Sequence, residues 1–169
     1  TIHPSVFVTS VEVGESPFLG LLSRLAGSVF VERRKRFTLP QELNQLTDLF
    51  NQGFPIVLFP EGTSTNGEGV LPFRNAFFRA AIAAEAWVSP VCIQYVAIDG
   101  RPVTRENRDH VFFYGEMGFL SHLARLCRCR SIDIQVHVLE PIPLASTDHR
   151  KSVASRAYQV IASHYRPVR

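Results

Sequence analysis

Apolar residues recur along this chain in two rhythms. Short, nearly continuous apolar runs of strand length fall at Val6–Thr9, Ser28–Glu32, Pro55–Phe59, Val91–Ile98, His110–Tyr114 and Ile132–Leu139. Helical spacing fills most of the sequence between them. Ser16-Pro17 offers an N-cap followed by a first-turn proline, and Gly27 ends the helix that starts there. Leu43, Leu46, Leu49 and Phe50 make the apolar face of a second helix from Pro40 to Gln52, closed by Gly53. A third helix, Pro72 to Glu85, is apolar nearly all round (Phe73, Ala76, Phe77, Ala80, Ala81, Ile82, Ala84), a pattern that predicts burial. The stretch Phe119 to Arg128 reads as a short amphipathic helix with arginines beside its apolar face. It suits either ordinary packing or a membrane surface. The last helix, Asp148 to Tyr165, carries Val153, Ala157, Ile161 and Tyr165 on one stripe. Strands alternating with helices predict an α/β fold, a mixed and largely parallel sheet flanked by helices. Within it, His137 alternates with Val136 and Val138 and is expected to face solvent. Trp87 and the phenylalanines are expected in the core, the alternative for some of them being the lining of an apolar groove.

Composition agrees with a packed domain. At 169 residues and 46% hydrophobic, the chain is long enough for a real core, and residues 1–169 are read as one domain. A charged fraction of 20% and 13 phenylalanines exclude a disordered chain. The net charge of +3 favours anionic partners without demanding them. The three cysteines, Cys92, Cys127 and Cys129, form no second pair to complete a metal site, which predicts a reduced, cytosol-facing domain without metal. No run approaches the roughly 18 apolar residues of a spanning helix. Arg33-Arg34-Lys35-Arg36 is a basic run that serves as a solvated turn, a phosphate site, or a contact for anionic headgroups. No aromatic platform or nucleic-acid motif accompanies it, so nucleic acid is not expected.

The chemistry concentrates where the run Pro55–Phe59 breaks into Pro60-Glu61-Gly62-Thr63-Ser64-Thr65-Asn66-Gly67. Loops leaving the carboxyl ends of buried strands are the usual ligand sites of α/β proteins. Backbone N–H groups and hydroxyls suit phosphate oxygens, and Gly62 permits close approach. Glu61 is unusual there, since a carboxylate repels phosphate unless it holds the loop or orients a cation. The plain alternative is a polar turn that caps the next helix.

Phe59-Pro60-Glu61-Gly62-Thr63 resembles the third sequence block of the glycerolipid acyltransferase family, typified by lysophosphatidic acid acyltransferase. Gly27-Ser-Val-Phe30-Val31-Glu32-Arg33 looks like the second block, and Val88-Ser89-Pro90-Val91 like the fourth, in the same order and rough spacing. Leu71-Pro-Phe-Arg-Asn-Ala-Phe-Phe78 sits where the family has an apolar helix start. The resemblance implies an acyltransferase that moves a fatty acyl group from acyl-CoA or acyl carrier protein to a lysophospholipid hydroxyl. The expected acceptor is 1-acylglycerol-3-phosphate, reached on the cytosolic face of a membrane, and no tightly bound cofactor is implied. Arg33, Glu61, Gly62, Thr63, Ser64 and Arg74 would anchor the acceptor, and Arg33 has the fork geometry that phosphate prefers. Ser64 stands where the family usually has a basic residue, which removes one phosphate partner unless Arg74 replaces it.

The family's first block is a histidine and an aspartate separated by four residues, the pair that supplies the general base. None of the six histidines here has that spacing. Thr1-Ile-His-Pro-Ser-Val-Phe-Val-Thr-Ser10 resembles the strand that follows the block, so the dyad is expected before Thr1. The chain is thus read as truncated at its amino end and inactive alone. A non-catalytic phospholipid-binding module without the dyad is the alternative.

Overall fold

The computed structural model describes residues 5–10, 17–25, 27–31 and 40–169. They gather into two compact units. The first takes the described residues of Thr1–Gly62 together with Arg74–Val88 and Pro143–Ala154. The second takes Thr63–Phe73, Ser89–Ile142 and Ser155–Arg169.

The first unit runs β1 (Val6–Ser10), α1 (Pro17–Leu25), β2 (Val29–Val31), α2 (Pro40–Asn51), β3 (Ile56–Val57), a 3-10 turn over Asn75–Phe77, α3 (Phe78–Ala83) and β4 (Trp87–Val88). β1 is the middle strand, parallel to both neighbours, with Ser10 opposite Val31 on one side and Phe7 opposite Val57 on the other. Parallel neighbours need a crossover, and α1 and α2 are the helical connections. Both helices stop by the same device. Gly53 N–H donates to Phe50 O and Phe54 N–H to Leu49 O, a Schellman pair that recurs at Gly27 and Ser28. The core joins Val8 of β1, Leu46 of α2, Phe77 and Ala80, with Val29, Leu49, Phe50 and Ile56 packed around them.

In the second unit β5 (Val91–Ile98) lies between β6 (Arg101–Pro102) and β7 (Ile132–Val138), antiparallel to each. A bulge at Val96 interrupts the ladder between Tyr95 and Ala97. A 3-10 turn over Arg108–His110 and α4 (Phe119–Leu126) complete this unit, while β8 (Ile142–Pro143) and α5 (Arg150–His164) supply residues to both. The α/β class is as the sequence predicts, with parallel and antiparallel pairing both present. Among the described residues no helix is long and apolar enough to cross a membrane.

Four expectations need correction. The run His110–Tyr114 pairs with no strand. Val111 is buried there, Phe112 sets its ring edge-on to Tyr95, and Phe113 does the same to Phe119. Ring packing has taken the place of ladder bonds. The third helix is shorter than its apolar pattern. Arg74 is extended with ψ 109°, helical turns begin only at Asn75, and Glu85 at φ 47° lies beyond the end, although Phe77, Phe78, Ala80, Ala81 and Ile82 are buried as predicted. Trp87 is 68% exposed, on the outward side of a two-residue strand whose Val88 is half-buried. His137 does not take the solvent side. It pairs with buried Cys92 on the covered face of the ladder, leaving Val136 and Val138 at 58% and 73% exposure.

Leu46 is 1% exposed at the centre of the first unit's core. Leu46→Ala is expected to destabilise the full-length protein by about 2–5 kcal/mol, read from the midpoint of urea unfolding.

Candidate active site

Three parallel strands end at one edge of the first unit, and β1 in the middle marks where the strand order reverses. Crevices outside the carboxyl ends at such a reversal are the habitual ligand sites of open α/β sheets. The chain leaving β3 turns at once. Gly62 N–H donates to Phe59 O at 3.1 Å, and the backbone N–H of Arg74 donates to Pro60 O at 2.8 Å. Gly62 is buried with φ 70°, which a side chain would strain. The Arg74 side chain lies across it so closely that a Cβ at Gly62 would come within 2.8 Å of Arg74 Cδ and Cζ.

The fold thus brings the Arg74 guanidinium onto Gly62, the residue that follows Glu61 in the chain. Glu61 is half-buried, and each of the three makes at least one polar or electrostatic contact. Thr63 and Ser64 follow directly in the chain, both exposed, and belong to the second unit. Arg33 lies outside the described residues.

The rest of the loop is pinned inside the second unit by partners that no local pattern announces. Gly67 O accepts both the Tyr165 hydroxyl and Val168 N–H, each at 2.9 Å. The missing side chain of Gly67 leaves room for Phe112 and Val168 to pack against its Cα. Asn66 Oδ1 accepts Glu68 N–H at 3.1 Å, and the Glu68 carboxylate pairs with Arg108 at 2.8 Å and Arg105 at 3.4 Å. Arg108 in turn lies over the Tyr114 ring, and the Tyr114 hydroxyl donates to Asp109. The Arg108 hydrogen bond, helped by Asn66, holds the Glu68 carboxyl below its ordinary range. Sequence reading missed Glu68, Arg108 and Tyr165. The one local signal was Gly67, a glycine where the loop passes close to other chain.

Two outcomes follow from this geometry. Gly62→Ala combines left-handed strain with displacement of Arg74, and should cost at least about 1–2 kcal/mol of stability in a thermal melt. Glu68 titrates at lower pH folded than unfolded, so its pairing stabilises above the unfolded carboxyl range and is lost as pH falls through the folded value. Protection of the Gly67 and Glu68 amides, measured as exchange relative to the intrinsic rate at each pH, should therefore fall as Glu68 becomes protonated, and Glu68→Gln should abolish that dependence.

The comparisons with known proteins converge on one family. The family model described as Acyltransferase matches residues 2–94. The lyso-ornithine lipid O-acyltransferase of Brucella abortus (strain 2308) is 34% identical over 155 residues, covering 88% of this chain and 58% of that protein. The 1-acyl-sn-glycerol-3-phosphate acyltransferase of Neisseria gonorrhoeae is 26% identical over 160 residues, covering 95% and 60%. Among solved structures, the 1-acyl-sn-glycerophosphate (LPA) acyltransferase PlsC from Thermotoga maritima superposes with a TM-score of 0.57 at 15% identity. That match covers 96% of this chain and 56% of the other and supports the fold. The chain spans somewhat over half the length of these relatives.

Proposed function

The chain belongs to the glycerolipid acyltransferase family, and from that premise we propose that the full-length protein acylates the free hydroxyl of a lysolipid. The donor is a fatty acyl thioester, acyl-CoA or acyl carrier protein. A general base takes the hydroxyl proton as the oxygen attacks the thioester carbonyl, and the tetrahedral intermediate collapses with loss of the thiol. By resemblance the base is the histidine of the family's first block. The residues described here do the positioning.

The observation that carries this reading is the turn after β3, where Arg74 closes over Gly62 beside Glu61. Holding an acceptor by its headgroup turns a bimolecular encounter into an oriented one, an effect that can reach about 7–11 kcal/mol in ideal cases. Arg74 supplies a fork for a headgroup anion. Glu61 either fixes that fork or meets a headgroup cation.

Of the two acceptors that the relatives' names offer, lyso-ornithine lipid fits these residues better. A phosphate dianion calls for more than one cation, yet Thr63 and Ser64 add only exposed neutral hydroxyls. An ornithine headgroup bears a carboxylate and an ammonium, which match Arg74 and Glu61 in sign. The second reading, 1-acylglycerol-3-phosphate, draws on Arg33 and the basic run that follows it. Such acceptors are amphiphiles, so the site works at a membrane surface. The free thiols Cys92, Cys127 and Cys129 fit a cytosolic face.

Acyl transfer by the full-length protein, followed by mass spectrometry with each lysolipid in turn, tests the reading. Turnover of lyso-ornithine lipid is expected to exceed that of 1-acylglycerol-3-phosphate. Glu61→Gln and Arg74→Gln should each lower kcat/KM by at least about tenfold. The reverse preference would establish the phosphate acceptor. A folded protein that binds lysolipid but acylates none would be a binding module instead.

A further inference from the structure

A second cluster of charge lies wholly inside the second unit, at the closed end of the β5–β6 hairpin. Asp99 and Gly100 form the hairpin turn with φ 50° and 75°, the positive values that two-residue hairpins need and that Asp-Gly tolerates. The Asp99 side chain also ties that turn to the segment entering β7. Its Oδ1 accepts N–H from Arg130 at 2.6 Å and from Ser131 at 2.9 Å, while Asp99 N–H donates to Ser131 O. On another side, Asn107 braces the approach to the 3-10 turn by accepting Thr104 N–H and donating to Pro102 O. These bonds set the backbone positions of Arg101, Arg130 and His110 relative to one another.

The three segments and the end of α4 enclose a cleft of about 460 Å³, lined among others by Arg101, Arg128, Arg130, His110, Asp99 and Cys129. That is the size range of small-ligand sites. Its lining carries three guanidiniums and one carboxylate, Asp99, which interacts electrostatically with Arg130. The sole carboxylate in the lining, Asp99, already accepts two backbone hydrogen bonds. The final α4 carbonyls are also engaged, Arg125 O by Arg128 N–H and the Cys129 thiol, and Leu126 O by Cys129 N–H. Arg101, Arg128 and Arg130 are exposed and form no ion pair among the described residues. With one carboxylate among three guanidiniums, net positive charge remains round the cleft, and an anion shared between the arginines relieves their mutual repulsion. Their forks match phosphate oxygens, two at a time. The His110 ring, with Nδ1 3.9 Å from Cys129 Sγ, adds a further polar group to the wall.

We propose that this cleft binds a phosphate-bearing anion, either the phosphate of a lipid headgroup or that of a soluble phosphate ester. Its residues are not those of the turn after β3, and the proposal does not depend on acyl transfer.

The test is binding, on the full-length protein. Inorganic pyrophosphate is titrated by calorimetry at fixed ionic strength, and flotation is measured with phosphatidylcholine vesicles with and without phosphatidylglycerol. Saturable binding of one probe is expected, weakened at least tenfold in R128Q/R130Q with an unchanged Tm. Pyrophosphate binding identifies a soluble ester as the ligand class. Binding only to phosphatidylglycerol vesicles, lost in the same variant, identifies a headgroup. If the double variant does not fold, Arg101→Gln on the short strand β6 replaces it and should weaken binding at least threefold. Absence of saturable binding of both probes to the unmodified protein would overturn the proposal, as would binding equal in variant and parent.

Discussion

The double pairing of β1 is the constraint from which the candidate active site follows. One strand of five residues is parallel to β2 on one edge and to β3 on the other. Parallel pairing sends the carboxyl ends of all three strands the same way, so every chain that leaves them leaves at one edge. Val8, on this strand, is also one of four buried residues that cluster together in the first unit, with Leu46, Phe77 and Ala80. Core packing and site placement thus rest on the same strand. A change that loosened β1 would reach the turn at Glu61 without touching any residue of that turn.

The loop after β3 is held by a different kind of force at each end. At Gly62 the restraint is steric, a left-handed backbone with the Arg74 side chain lying over it. At Gly67 and Glu68 the restraint is polar, through Tyr165, Val168 and the Arg108 pair. Arg108 is the more sheltered partner, and Glu68 remains in good contact with solvent, so the pair adds specificity of position more than stability. Between the two anchors lie Thr63 and Ser64, exposed and free of packing demands. Residues so placed can be chosen for a ligand.

Much of this was legible in the sequence because the determining signals are local. The break from Pro55–Phe59 into Glu61-Gly62 marks a strand and its exit turn. The glycines that end α1 and α2 act through bonds spanning only a few residues, and β5 runs over Val91–Ile98 as its apolar run predicts. What escaped was decided at long range. Alternation along β7 separates two faces but does not say which is covered; the pairing of His137 with buried Cys92 decides that, and the valines face outward. The run from His110 to Tyr114 has strand composition, yet its aromatics find Tyr95 and Phe119 instead of a ladder partner. Glu68 meets Arg108 across 40 residues and Gly67 meets Tyr165 across 98, separations that no spacing rule covers. The arginine cleft was invisible for the same reason, since Arg101 and Arg128 become neighbours only through the Asp99 clasp.

The central claim is that the turn at the carboxyl end of β3 holds the acceptor lipid. Hydrogen–deuterium exchange of the full-length protein, with and without a saturating lysolipid, tests it most directly. The account predicts slowed exchange at the amides of Phe59, Glu61, Gly62, Thr63 and Arg74, with the β5–β7 ladder unchanged. Protection confined to other segments, with these amides exchanging as in the free protein, would contradict it.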